Sequence, residues 1–184
     1  MVSTHEVFKY KPLEPGDNIR LLKLAPSWNP DAPIACKLFN TPLEDYEGKY
    51  EALSYVWGSV DTDSEIECNE KTLRINRNCF LALKHLRRKI FRRVLWIDNI
   101  CIDQTSIEER GHQVELMDII YTVCRRVIIW LGVEEPGTRR AFRRVRNQWL
   151  LNTIEDATLF TPRISNALSD AVGIPGQCVL TSLA

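Results

Sequence analysis

Apolar positions along this chain fall in short runs separated by polar punctuation. Residues 19–24 (Ile-Arg-Leu-Leu-Lys-Leu) predict a strand stopped by Pro26 and Pro30. Ile34-Ala-Cys-Lys-Leu38 alternates and predicts a partner for it. Three further runs, 52–57, 94–97 and 127–131, are apolar without alternation, as expected of strands covered on both faces. Ile66-Glu-Cys and Lys71-Thr-Leu-Arg-Ile75 read as a hairpin about Asn69-Glu70. Asn tolerates positive φ there, whereas Glu70 takes a place usually held by Gly.

Two helices follow from spacing. Asn76 or Asn78 can cap one that continues through Phe80, Leu83, Leu86 and Ile90, with Lys84, Arg87, Arg88, Lys89, Arg92 and Arg93 outward. Thr105 and Ser106 each have Glu three residues on, so a capping box starts a second helix there. Val114, Met117, Tyr121 and Cys124 form one apolar row and Leu116, Ile120 and Val123 another, which predicts packing on both sides. The first 18 residues, punctuated by Pro12, Pro15 and Gly16, read as an extended arm. After Pro136-Gly137 comes a basic helix (Arg139, Arg140, Arg143, Arg144, Arg146) with Phe142, Val145 and Trp149 on its apolar side. Residues 150–184 lack sustained periodicity beyond a short helix near 164–171.

Helical segments after the second and third buried runs predict an α/β open sheet with covering helices and an N-terminal β-rich extension. If those runs lie parallel, their carboxyl ends meet at one edge, where open sheets bind ligands. That edge would gather Ser54, Tyr55, Trp57 and Gly58, then Asp98, Cys101, Asp103 and Gln104, then Gly132, Glu134 and Glu135. The start of the helix near 106 would point there and suit an anion such as phosphate. Neither G-x-G-x-x-G nor G-x-x-x-x-G-K-[ST] is present.

Composition narrows the class. The 184 residues are enough for one domain, or one with a tail, and need no metal or disulfide staple. Lys plus Arg and Asp plus Glu are both 24, so the formal charge is zero and a general nucleic-acid binder is not expected. The six cysteines form no C-x-x-C pair, and the three histidines are not spaced as zinc ligands. Reduced, mostly buried thiols in a cytoplasmic protein fit this usage. The polar N-terminus lacks the apolar core of a secretory signal, and no apolar run approaches the roughly 20 residues that span a bilayer.

Each candidate has a structural reading beside the chemical one. Asp98 follows an apolar strand and needs a partner: a backbone turn, Arg110, or a ligand. Asp103 and Gln104 fit an N-cap first. Glu109 and Arg110 could pair with these groups or complement the helix dipole. Cys101 with His112 or His85 invites a thiol hydrolase, but nothing in the spacing puts a base beside the thiol. Trp57, Trp96 and Trp130 fit a core better than a stacking platform. The basic run 84–93 reads first as a solvated helix face and second as an anionic-partner surface.

Read together, these blocks resemble one family. Tyr10-Lys-Pro-Leu13, Ile19-Arg-Leu-Leu22, the stretch Tyr50-Glu-Ala-Leu-Ser-Tyr-Val-Trp-Gly58, Ile66-Glu-Cys-Asn69, Ala82-Leu83 with Leu86-Arg87, Leu95-Trp-Ile-Asp-Asn-Ile-Cys-Ile-Asp-Gln104, Glu109-Arg110, Gln113, Met117, Tyr121 and Trp130-Leu-Gly132 follow the order of the fungal heterokaryon-incompatibility (HET) domain. The resemblance covers about Tyr10 to Gly132 and not the chain beyond about 150, dividing it into a HET domain at 1–136 (core about 19–133) and a basic helix with a divergent or truncated tail at 137–184. It implies a cytoplasmic domain of nonself recognition that triggers cell death through self-association or a protein partner, with no resident cofactor. HET domains also look distantly like TIR domains, which have a flavodoxin-like fold and of which some hydrolyse NAD. NAD would then be a substrate, and Asp98, Glu109 and Glu134 are the carboxylates to test. The glutamate of NAD-cleaving TIR domains would fall in the segment Thr138-Arg-Arg-Ala-Phe-Arg-Arg144, which has none, so no catalytic glutamate is assigned. A non-catalytic, degenerate HET fragment is the third reading.

Overall fold

The computed structural model describes residues 6–57 and 64–133, and the backbone of residues 178–181. In chain order the strands and helices are β1 (Asn18–Leu24), β2 (Ala35–Pro42), β3 (Glu51–Tyr55), β4 (Ser64–Cys68), β5 (Lys71–Ile75), α1 (Arg77–Leu86), β6 (Arg93–Trp96), α2 (Asp98–Cys101), α3 (Ile107–Val123), β7 (Arg126–Trp130) and β8 (Cys178–Thr181). All eight strands among the described residues form one sheet, ordered β5-β4-β2-β1-β6-β3-β7-β8. β3 runs parallel to both β6 and β7, and β8 continues parallel beyond β7. β1 joins the two halves by pairing antiparallel with β2 on one side and β6 on the other. The result is an open α/β sheet, parallel on one side and largely antiparallel on the other.

The expected N-terminal pair forms, with Leu22 opposite Leu38. Ala52, Leu53, Leu95 and Trp96 are fully buried, which is why β3 and β6 read as unbroken apolar runs. Asn69 and Glu70 close the β4–β5 hairpin at φ 51° and 65°, so Glu70 does take the left-handed conformation. A reason lies in Asn69. Its side-chain amide donates to Leu38 O and accepts from Leu38 N, both at 3.0 Å, extending the ladder past the end of β4. The arm lies along the free edge of β5, with Phe8 N donating to Thr72 O at 2.8 Å and Thr72 N to Glu6 O at 3.0 Å.

Three expectations need correction. α1 ends at Leu86, not beyond Ile90. The Arg87 guanidinium donates to the carbonyls of Asn29, Pro30, Ala32 and Pro33, drawing the chain away from helical geometry. Ile90 is therefore exposed rather than core. The supposed basic helix face dissolves with it: Lys84 pairs with Asp31, Arg93 belongs to β6, and Arg88, Lys89 and Arg92 sit in the following loop. Nor is α3 packed on both sides. It buries Gln113, Leu116, Ile120 and Tyr121, while Val114 and Ile119 face solvent. β8 had no counterpart among the elements read from the pattern. The basic helix after Pro136 and the short helix near 164–171 lie outside the described residues. No described helix is long and apolar enough to cross a membrane.

Candidate functional site

Register brings the strand ends together. Tyr55 at the end of β3 stands opposite Trp130 at the end of β7, and Ser54 stands opposite Ile129. Ala52 pairs with Trp96, so β6 ends beside β3 and delivers Asp98 to the same edge. The contact is direct: Trp57 Nε1 donates to Asp98 Oδ2 at 3.0 Å. Asp98 Oδ1 accepts from the N–H of Asn99 at 2.6 Å, and Gln104 Nε2 donates to the Asp98 carbonyl at 3.0 Å. Four predicted residues, Tyr55, Trp57, Asp98 and Gln104, thus share this edge, and Ser54 lies one register step behind. Gly132, just past β7, has φ 100°, a conformation that favours glycine where the chain leaves the sheet.

Two members went unrecognised as site residues. Asn76 caps α1, its Oδ1 accepting from Cys79 N at 2.7 Å, and its Nδ2 also donates to the Tyr55 hydroxyl at 3.3 Å. Asn78 accepts from Trp130 Nε1 at 2.9 Å and donates to the Val56 carbonyl. A helix start needs one cap, so the second asparagine was the available signal that this turn serves the strand ends as well.

Electrostatically the edge is under-compensated. Burial raises the Asp98 carboxyl above its ordinary value, and the donors from Asn99 and Trp57 pull it back only in part. Among the described residues no cation pairs with Asp98. Burial also raises the Tyr55 phenol, with the Cys79 thiol beside it.

Other candidates are committed elsewhere. Asp103 Oδ1 accepts from the backbone N–H and hydroxyl of Thr105, at 3.0 and 2.7 Å, forming a turn before α3. Ser106 is the N-cap, accepting from Glu109 N at 3.2 Å. Glu109 does not reach back to close a capping box. Its carboxylate grips Arg20 through both terminal guanidinium nitrogens and accepts from Asp103 N at 2.6 Å. Arg20, only 2% exposed, also donates to the carbonyls of Cys101 and Lys11. Glu109 therefore ties α3 to β1, α2 and the arm, which leaves it poorly placed for catalysis. Arg110 is exposed and has no ion-pair partner among the described residues. Gly58, Glu134 and Glu135 lie outside the described residues.

The thiol idea finds no support. Cys101 is fully buried, its sulfur accepts from Ile97 N at 3.4 Å, and burial pushes its pKa up to about 12. His85 is held against Leu81 O and the Trp130 ring, and His112 against Gly16 O. Trp96 and Trp130 are core, as expected, whereas Trp57 is 41% exposed. A cavity of about 550 Å³ lies under the arm, among Lys9, Lys11, Leu38 and Asn40, and none of the predicted site residues lines it.

The opposite ends of the same strands look different. Glu51, at the start of β3, is gripped by Arg93 of β6 and Arg126 of β7. Burial opposes ionisation there, but the two guanidinium groups outweigh it and hold the carboxyl below the usual range.

Fold and edge together define an α/β open-sheet domain whose polar groups gather at the carboxyl ends of parallel strands. The family model described as Heterokaryon incompatibility protein (HET) matches residues 50–169, past the point where the motif resemblance stops. The chain belongs to that family. It is 36% identical over 175 residues to Heterokaryon incompatibility protein 6, OR allele, of Neurospora crassa, an alignment covering 85% of this chain and 26% of the relative. The chain thus spans about a quarter of the length of the curated relative it matches. No solved structure matches it.

Proposed function

We propose that this chain is a HET domain of fungal nonself recognition, acting in the cytoplasm and triggering cell death through self-association or a protein partner. Family membership carries this reading, and the relative's own name concerns heterokaryon incompatibility. The strand-end edge is the surface we assign to it. Trp57 and Val56 are exposed there beside a carboxylate with no cation partner among the described residues, so a partner can supply apolar cover and a donor together. Inducible expression in a fungal host tests this. Viability should fall with the unsubstituted chain and recover with Trp57→Ala. Unchanged viability in both strains would remove the assignment.

A second reading is hydrolysis of NAD at the bond between nicotinamide and ribose. Asp98 favours it: a buried-side carboxylate at the strand ends can support an oxocarbenium-like centre while water attacks. Purified full chain at high concentration should then release nicotinamide, and Asp98→Asn should abolish release. Equal release by the variant would take Asp98 out of the mechanism. Folded protein with no release in any form returns the assignment to an assembly domain.

A further inference from the structure

The early end of α1 has a consequence at the far side of the sheet. Ile90, spaced as if for the core, and its neighbour Phe91 project from the loop before β6 and are 59% and 68% exposed. Trp28, in the loop after β1, is 70% exposed, and Lys89 Nζ lies 5.6 Å from its ring centroid. The loops are adjacent because Leu24 pairs with Arg93. They are also stapled: Ser27 N donates to Arg88 O at 2.9 Å, and Arg87 donates to four carbonyls of the first loop. Three large exposed apolar side chains thereby sit on two loops that are fastened to each other.

Around them stand Arg88, Lys89 and Arg92, all exposed and without ion-pair partners among the described residues. Asp31, the acidic residue of the first loop, is occupied by Lys84 at 3.0 Å. We propose that the Trp28 and Ile90-Phe91 loops form a docking surface for an anionic lipid membrane. Trp and Phe settle at the headgroup level of bilayers, and Ile adds apolar depth with no polar group to satisfy. The three cations match an anionic leaflet. A nucleic acid would use the cations and planar rings but gain little from Ile90. The staples mean that little conformational freedom is lost on docking. Docked this way, the surface sits at the amino ends of β3, β6 and β7, and the edge holding Asp98 faces away from the bilayer.

The test is co-sedimentation of the full chain with vesicles of phosphatidylcholine alone and of phosphatidylcholine mixed with phosphatidylserine. Binding should appear with phosphatidylserine and weaken with salt. Replacing Arg88, Lys89 and Arg92 together by Ser should lower partitioning on the order of a hundredfold, since each cation near such a surface contributes on the order of fivefold. Ile90→Ser with Phe91→Ser should lower it at least about tenfold. These are exposed loop changes, and a second readout needs only the loop tryptophan: brominated phosphatidylserine should quench emission in the unsubstituted chain and less in Trp28→Phe. No sedimentation with phosphatidylserine vesicles overturns the proposal. So does binding that survives the Ile90-Phe91 change while failing with the charge change, which marks a surface for an acidic macromolecule.

Discussion

The two ends of the parallel strands hold two carboxylates in opposite states. At the amino ends, Glu51 sits between Arg93 and Arg126, and its charge is compensated by the neighbouring strands themselves. At the carboxyl ends, Asp98 has two neutral donors and no cation among the described residues. One end spends its polar groups on holding strands together. The other keeps a carboxylate whose charge the described residues do not balance, as expected where a ligand or partner must complete it.

The largest way to break this comparison is at Glu51. Glu51→Ala would strand two partly buried guanidinium groups and should cost about 3–5 kcal/mol in urea unfolding. A loss below about 1 kcal/mol would mean that the clamp is not structural. Because the folded-state pKa of Glu51 is depressed, its contribution is present above the ordinary carboxylate value of 4.5 and disappears as pH falls through the lower folded value. Glu51→Gln should therefore flatten the acid limb of stability against pH.

Next in size is Asn78→Ala. It would orphan Trp130 Nε1 and the Val56 carbonyl and should cost about 1–3 kcal/mol. It would also loosen the strand-end edge, which protease sensitivity near Val56 would report.

The smallest stability effect is expected at Asp98. Its folded pKa is raised, so stability falls as pH rises from the ordinary value of 3.8 through the folded one, and the ionised form costs stability at neutral pH. Asp98→Asn removes that cost, but turns one of the two accepting oxygens into an amide donor, which would face the Trp57 indole N–H. The two effects oppose each other, so thermal unfolding should stay within about 1 kcal/mol of the unsubstituted chain, while toxicity or nicotinamide release is lost. A clearly destabilised variant would place Asp98 with Glu51 as a structural group.

The covered middles of β3, β6 and β7 were plain in the amino-acid sequence because apolar residues suit strands buried on both faces, so length and composition were enough. The convergence of Tyr55, Trp57, Asp98 and Gln104 followed from assuming those strands parallel. Local pattern failed where a distant group decided the outcome. Ile90 continues the helical spacing of Phe80, Leu83 and Leu86, but the helix stops because Arg87 finds carbonyls more than fifty residues away. Glu109 looked like half of a capping box and became the partner of Arg20, 89 positions earlier. The two apolar rows of α3 predicted two packing faces, yet they merge into one stripe against the core, and Val114 of the first row meets solvent. Short β8 carried too little pattern to stand out.

Strand order also sets a schedule for synthesis. β1, β2, β4 and β5 pair within residues 18–75, so that half can form while the rest of the chain is still on the ribosome. β3 emerges among them but must wait for β6 and then for β7, whose last residue is Trp130. Until then the central strand β3, with Ala52 and Leu53 at its buried middle, has no neighbour on either side, and the nascent chain carries that open strand unprotected. Chains stopped before residue 130 should therefore clump, whereas chains that reach it close the sheet over the strand.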